Sequence, residues 1–374
     1  VYKTVQWLVL FFLLLNICGC WDYLDLEDQD LPIAAAFDLI KNSNPESENP
    51  PRVLFTTLTP NLTLGKEGSV RIISNPAPVV AMAREGKSGS LIANYNPTMI
   101  QTAIYSEELA RQGLSDVLDI TLRTPRIKHT VFLAVVDGRA DELLKTKVTE
   151  DVDNTGMYLL YLLKTGAKRG FIVTTTLHQF AVNYITDGKN PILPVIKVSQ
   201  DNIAITGTAI FNKTKMIAKI GKPETRSLIL LRGVKSGGYI PFNIQLGEYT
   251  EQGTVYVKNQ RSIKVEREGA NYSFLIVIKL NGTVVEKTGS RSFIDDKKGL
   301  ETVEKTIAAM VEKDCQRFID KMQNEYQVDC IDISKYALAK WRGELHGITD
   351  QHLISNSSIR VKVQVNLENF GERT

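Results

Sequence analysis

The chain has 374 residues, 43% of them apolar and 23% charged, which is enough for two or three packed domains and excludes a disordered or fibrous protein. Its 45 basic residues nearly balance 42 acidic ones, for a net charge of +3; nucleic-acid binders carry a clustered basic excess instead. With four cysteines and four histidines, thiol and imidazole chemistry has few places to reside.

The first element is "WLVLFFLLLNI", Trp7 to Ile17, an uncharged run preceded by one basic residue, Lys3. A membrane-spanning helix needs about 20 apolar residues to cross roughly 30 Å of hydrocarbon, so this run has the length of a signal-peptide core. The segment Ile17-Cys18-Gly19-Cys20 follows: a branched aliphatic, two small residues and a thiol at the cutting point, the pattern of a bacterial lipobox. Residues 1–19 are therefore expected to be a lipoprotein signal peptide, and Cys20 the diacylated first residue of the mature chain. The alternative is an ordinary signal with a bystander cysteine. Cys18 and Cys20 alone cannot supply the four ligands of a zinc site, and a redox dithiol is usually C-x-x-C. The acids from Asp22 to Asp30 lack the glycine turn and terminal glutamate of a calcium loop and read as a solvated spacer.

After the spacer come the apolar stretch "LPIAAAFDLI", a polar loop "KNSNPESENPP" and the strand "RVLFTTLTP". Ala81 to Ser88, "AMAREGKS", loosely fits a phosphate loop with alanine for the first glycine. A helix is the better reading, with Asn75 as N-cap, Pro76 in the first turn and Gly86 at C′. A phosphate loop would follow a strand and open a helix at its Lys-Ser end. The middle of the chain alternates short elements: a strand into Tyr105, a helix from Ser106 to Gly113, a helix through "LSDVLDITL", the strand "HTVFLAVVDG", and helices Arg139–Leu144 and Gly156–Lys168. Pro191 and Pro194 mark a change of pattern. They divide the body into an N-terminal α+β region, 20–196, with room for two subdomains, and a C-terminal α+β domain, 197–374.

The second half opens with two strands around a polar turn, "NIAITGTAIFNKTKMIAKIG", and a helix entered at Pro223-Glu224. "GTVYVKNQRSIKVERE" and "NYSFLIVIKLNG" alternate as antiparallel strands. A long helix carries Leu300, Val303, Ile307, Val311, Cys315, Phe318, Met322 and Tyr326 on one stripe. A shorter helix, "SKYALAKWRGE", and the strand "SSIRVKVQVNLENFG" close the chain. From Cys315 to Tyr326 the helix rises roughly 16 Å and four extended residues return at most about 14 Å. A disulfide to Cys330 needs Cα atoms within about 7 Å, so two buried free thiols are expected. The fold class is α+β, multidomain, with mixed or antiparallel sheets flanked by helices.

No histidine lies in a zincin spacing and no G-x-S-x-G elbow is present, so no catalytic residue, metal site or cofactor is expected. His346 and His352 read as a loop pair lacking a third donor. No charged residue stands in an apolar setting suited to grip a carboxylate or ammonium.

"GCWDYLDLEDQDLPIAAAFDL" resembles the start of the spore germination receptor C subunits, the Ger(x)C lipoproteins, through Cys20, Trp21-Asp22 and Leu26-Glu27-Asp28. "SEELARQGLSDVLD" and "VFLAVVDGRADELL" resemble central segments of the family's N-terminal region. "GTAIFNKTKMIAKIGKPETRSLILLRG" and "IRVKVQVNLENFG" resemble the opening and end of its C-terminal region. Tyr23-Leu24 replaces the family's basic pair, and Ala36-Phe37-Asp38 its Gly-Ile-Asp. The resemblance implies a non-enzymatic subunit, anchored by a fatty acid such as palmitate on Cys20 to the outer face of the inner spore membrane. It would work beside membrane subunits A and B in a receptor for small nutrients. Its contacts are expected on the helices Pro223–Gly233 and Leu300–Tyr326. The alternative is an extracytoplasmic solute-binding lipoprotein that captures a nutrient directly.

Overall fold

The computed structural model describes residues 2–7, 25, 28–41, 50, 52–61, 69–90, 93–148, 154–199, 202–246, 249–269, 271–288, 297–345 and 350–370. Cys20, Trp21-Asp22 and His346 lie outside them. Among the described residues no helix is long and apolar enough to cross a membrane.

A two-residue strand β1 (Gln29–Asp30) leads into β2 (Ala34–Leu39), β3 (Val53–Pro60) and β4 (Val70–Ala77), followed by helix α1 (Val80–Ser90). After β5 (Asn94–Tyr95), which pairs with β1, come β6 (Thr102–Ser106), α2 (Glu107–Gln112), α3 (Ser115–Arg123), β7 (Phe132–Val136), α4 (Ala140–Lys145) and α5 (Thr155–Lys168). Then follow β8 (Thr175–Thr176), α6 (Leu177–Ile185), β9 (Ile192–Ser199), β10 (Asn202–Asn212) and β11 (Lys215–Gly221). The main sheet runs β11-β10-β9-β7-β6-β2-β3-β4, with β8 paired to β7. Its centre is parallel, β9-β7-β6-β2, and antiparallel strands flank it on both sides.

The central strands are buried on both faces, as parallel strands covered by helices must be. In β2, Ala35 and Phe37 join the core beneath α1, α2, α3 and α6, while Ala34 and Ala36 join the opposite core beneath α4 and α5. The division expected at 196/197 falls within β9. Beyond it, β10 and β11 hydrogen-bond into the sheet of the first half.

One buried acid organises the helix face. Asp38, 1% exposed at the end of β2, accepts hydrogen bonds from the N–H groups of Ala140 (2.7 Å) and Asp141 (2.8 Å). The N-cap of α4, Arg139, makes no capping bond with its side chain, so Asp38 serves as the cap from a distant strand. Burial pushes the Asp38 carboxyl up to about 6 from 3.8; the Asp141 charge adds to the rise, and the two N–H bonds and Arg139 oppose it.

The second half contributes α7 (Lys222–Arg232), β12 (Ser236–Leu246), β13 (Tyr249–Glu268), β14 (Asn271–Lys287), α8 (Lys297–Lys321), α9 (Ser334–Trp341), α10 (Asp350–Ser355) and β15 (Ser357–Phe370). These strands form a sheet β12-β13-β14-β15, antiparallel except for the parallel β14–β15 pair. The α8 stripe Val303, Ile307, Val311, Cys315 and Phe318 is buried against it. On the flank of β15, Glu312 accepts from the Val363 N–H (3.0 Å), Glu304 accepts from the Leu367 N–H (2.7 Å), and Gln316 donates to the Ile359 carbonyl (3.2 Å). Cys315 and Cys330 are free and buried; burial pushes the Cys315 thiol up to about 12 and raises Cys330 too.

Two local expectations need correction. Asn75 and Pro76 do not start a helix: they lie in β4, opposite Phe55 and Leu54 of β3, and the helix begins at Val80 and runs through Gly86 to Ser90. At the sheet's edge, proline's missing donor leaves no ladder bond unmade. β12, absent from the sequence reading, contains Gly237, Gly238 and Pro241 and is likewise an edge strand.

Candidate functional site

Where the two halves meet, α5, β10, α7 and β12 enclose a cavity of about 370 Å³. The junction depends on a close approach of backbones. Gly170 (φ +72°), just beyond α5, abuts Gly238 (φ +74°) of β12, and a Cβ on Gly170 would lie 2.7 Å from the Gly238 Cα. Only glycine combines left-handed backbone with that spacing. The walls are largely apolar: Leu162 from α5, Ile203 and Ile205 from β10, and Phe171 and Tyr239, whose ring centroids are 6.4 Å apart. Phe171 is 54% exposed and Tyr239 39%, so this aromatic pair forms an open side.

The lining carries three cations, Arg169, Lys222 and Arg226, and no acid. Arg226 is half-buried, and burial pulls its guanidinium below the ordinary arginine range, opposed by the charge of Asp314 on α8. It stays protonated. A charged group therefore does stand in an apolar setting, contrary to the expectation from sequence: neighbours drawn from α5 and β10 leave no local signature. Helix α7, which carries Lys222 and Arg226, is pinned at both ends. Glu224 pairs with Lys321 at 2.6 Å, and Arg232 pairs with Asp332 at 2.9 Å while donating to the Cys330 carbonyl at 2.8 Å.

Among the described residues, which exclude His346, the histidines are not gathered into a ligand set. His352 lies exposed on α10, 3.2 Å from the Asn356 amide. His129 and His178 stack at 6.4 Å between centroids, a pairing that sequence spacing did not suggest. Among the described residues no three His, Cys, Asp or Glu side chains are grouped to hold a metal ion.

Comparison with known proteins assigns both halves. Residues 22–198 match the profile of the spore germination protein N-terminal domain, and residues 206–371 match that of the spore germination B3/GerAC-like C-terminal domain. The chain belongs to the spore germination B3/GerAC-like family. Its similarity to other GerAC-like proteins runs end to end: 22% identity to spore germination protein GerQC of Bacillus cereus, over 96% of this chain and 98% of that protein. Spore germination protein B3 of Bacillus subtilis (strain 168) is 21% identical, over 97% of both chains. The GerAC-like fold is also that of the crystal structure of the GerBC protein, with a TM-score of 0.58 at 15% identity, covering 89% of this chain and 97% of the other.

Proposed function

We propose that this chain is the C subunit of a nutrient germinant receptor, non-enzymatic, tethered by lipid on Cys20 to the outer face of the inner spore membrane and acting through contacts with the A and B membrane subunits. The observation that carries the reading is the end-to-end match to spore germination proteins, with both domain profiles in order. The lipobox at Ile17 to Cys20 supports the tether, because two acyl chains hold a protein on a bilayer where one does so only marginally. The cavity favours a second reading, capture of a solute by the chain itself, and the two are compatible.

Mass spectrometry of the mature N-terminus is expected to find a diacylated Cys20. A Cys20→Ala chain is expected to lose membrane attachment, co-isolation with A and B, and the germination response; membrane-bound protein that retains Lys3 or carries a bare Cys20 would refute the tether. By contrast, Lys87→Ala, in the helical "REGKSGS" segment, is expected to leave the response to nutrient within twofold of the parent. A collapse of the response at normal protein level would reinstate a phosphate-binding role for that segment.

A further inference from the structure

We infer that the cavity between the two halves binds a small organic acid with an apolar body and no positive charge, its carboxylate held by Arg226 with Arg169 and Lys222 beside it. The starting observation is a half-buried cation with no side-chain partner in hydrogen-bond or ion-pair range among the described residues. The Arg226 guanidinium makes no hydrogen bond or ion pair among the described residues, yet the residue is half-buried in a cavity walled by Ile203, Ile205 and Phe171. Its guanidinium offers a planar fork of donors, and a carboxylate is the ligand that accepts from such a fork in bidentate geometry. The side chains of Arg169 and Lys222 likewise make no hydrogen bond or ion pair among the described residues, and both residues line the same space.

Size and sign narrow the class. About 370 Å³ lies near the lower end of the range for ligand pockets, roughly 300–1,000 Å³. That suits a single ring or a branched aliphatic chain rather than a nucleotide. The lining supplies three positive groups and no carboxylate, so an α-amino acid would place its ammonium among like charges, whereas the corresponding acid without the amine would not. Asp314, the acid felt by Arg226, is not part of the lining, and Asp314 also accepts from Arg317 at 3.3 Å. The Phe171–Tyr239 pair at the open side offers an apolar surface on which such a body can lie.

The inference stands apart from the tether and the receptor partners. It is tested by titrating the detergent-solubilised full-length chain with sodium phenylacetate in a calorimeter. Saturable one-to-one binding is expected. Phenylacetamide, of the same shape without the charge, and phenylalanine, with the added ammonium, are each expected to bind at least about tenfold more weakly. Arg226→Gln is expected to lower phenylacetate affinity by about tenfold to a hundredfold. Ala204→Trp, which fills the cavity and leaves the cations in place, is expected to abolish binding with an unchanged melting temperature. If Arg226→Gln fails to fold, the double variant Arg169→Gln/Lys222→Gln at two exposed positions decides, with a several-fold loss expected. Absence of saturable heat, equal affinity for acid and amide, or affinity unmoved by these substitutions would overturn the assignment. Each of those results leaves the C-subunit reading intact, since that reading is judged by lipidation and co-isolation.

Discussion

A fragment ending at residue 198 is expected to aggregate when expressed alone, whereas one ending at Gly221 remains soluble. The shorter fragment keeps β9 but loses β10, which pairs with it from Ser199↔Asn202 to Ile192↔Ile210. That strips the backbone partners from one side of an apolar strand containing the buried Leu193, Val195 and Ile196. A long apolar edge of this kind templates pairing between molecules. The same cut removes Phe211, fully buried and packed edge-on against Phe180 at 5.3 Å, and Met216, so the face beneath α6 loses part of its filling. Deleting one buried phenylalanine side chain costs about 3–5 kcal/mol, comparable to the whole stability of many domains. Size-exclusion chromatography and urea melts of the two fragments check this. A monomeric 20–198 fragment with a cooperative transition matching the longer one would show that the hairpin β10–β11 is dispensable.

Asp38→Ala is expected to destabilise the protein by about 2 kcal/mol at pH 7, and by more on the acid side. The substitution strands two backbone donors at the start of α4, each costing about 1–3 kcal/mol, and the loss is partly offset at neutral pH because a buried charge is removed with them. The pH dependence has a definite sign. With the folded-state value raised to about 6 above the ordinary 3.8, the native protein holds the Asp38 proton more firmly than the unfolded chain does. Between those values the unfolded state binds fewer protons, so the stability contributed by Asp38 is fully present below about pH 4. It falls as pH rises to about 6, by up to about 3 kcal/mol. Asp38→Asn does not titrate and keeps one acceptor. Urea midpoints of parent and Asp38→Asn at pH 4, 5, 6 and 7 should therefore diverge at the acid end, to the parent's advantage. Parallel curves across that range would mean that Asp38 titrates alike in both states.

These features differ in how far the sequence announces them. Helix α2 is legible to the residue because its signals are local: Ser106 accepts from the Leu109 N–H at 3.3 Å, and Gly113 ends the helix. The α8 stripe is legible for the same reason, as is the entry to α7 at Pro223 with its exit at Gly233. Where a distant partner decides, local signals mislead. Asn75-Pro76 has the chemistry of a helix start, yet pairing with β3 extends the strand through it. β12 is interrupted by Gly237, Gly238 and Pro241, and Gly238 answers to a contact with Gly170, on a different element. Asp38 stands out as one acid in an apolar strand, but its partners are more than a hundred residues away. Arg226 acquires its setting only when α5 and β10 close over α7. The lipidation proposed at Cys20, by contrast, rests on local residue types alone, since Ile17 to Cys20 lie outside the described residues.

The hydrogen bonds between β15 and the α8 side chains Glu304 and Glu312, which accept, and Gln316, which donates, bear on how this sheet meets other proteins. They occupy backbone groups that an incoming extended segment would need, so β-augmentation by a partner is blocked along that side. At the opposite margin, the abutment of Gly170 on Gly238 crowds the start of β12. A protein that associates with the β15 side of the C-terminal sheet must therefore recognise side chains presented on its surface, and its selectivity will follow their charge and shape instead of a main-chain ladder open to almost any extended sequence.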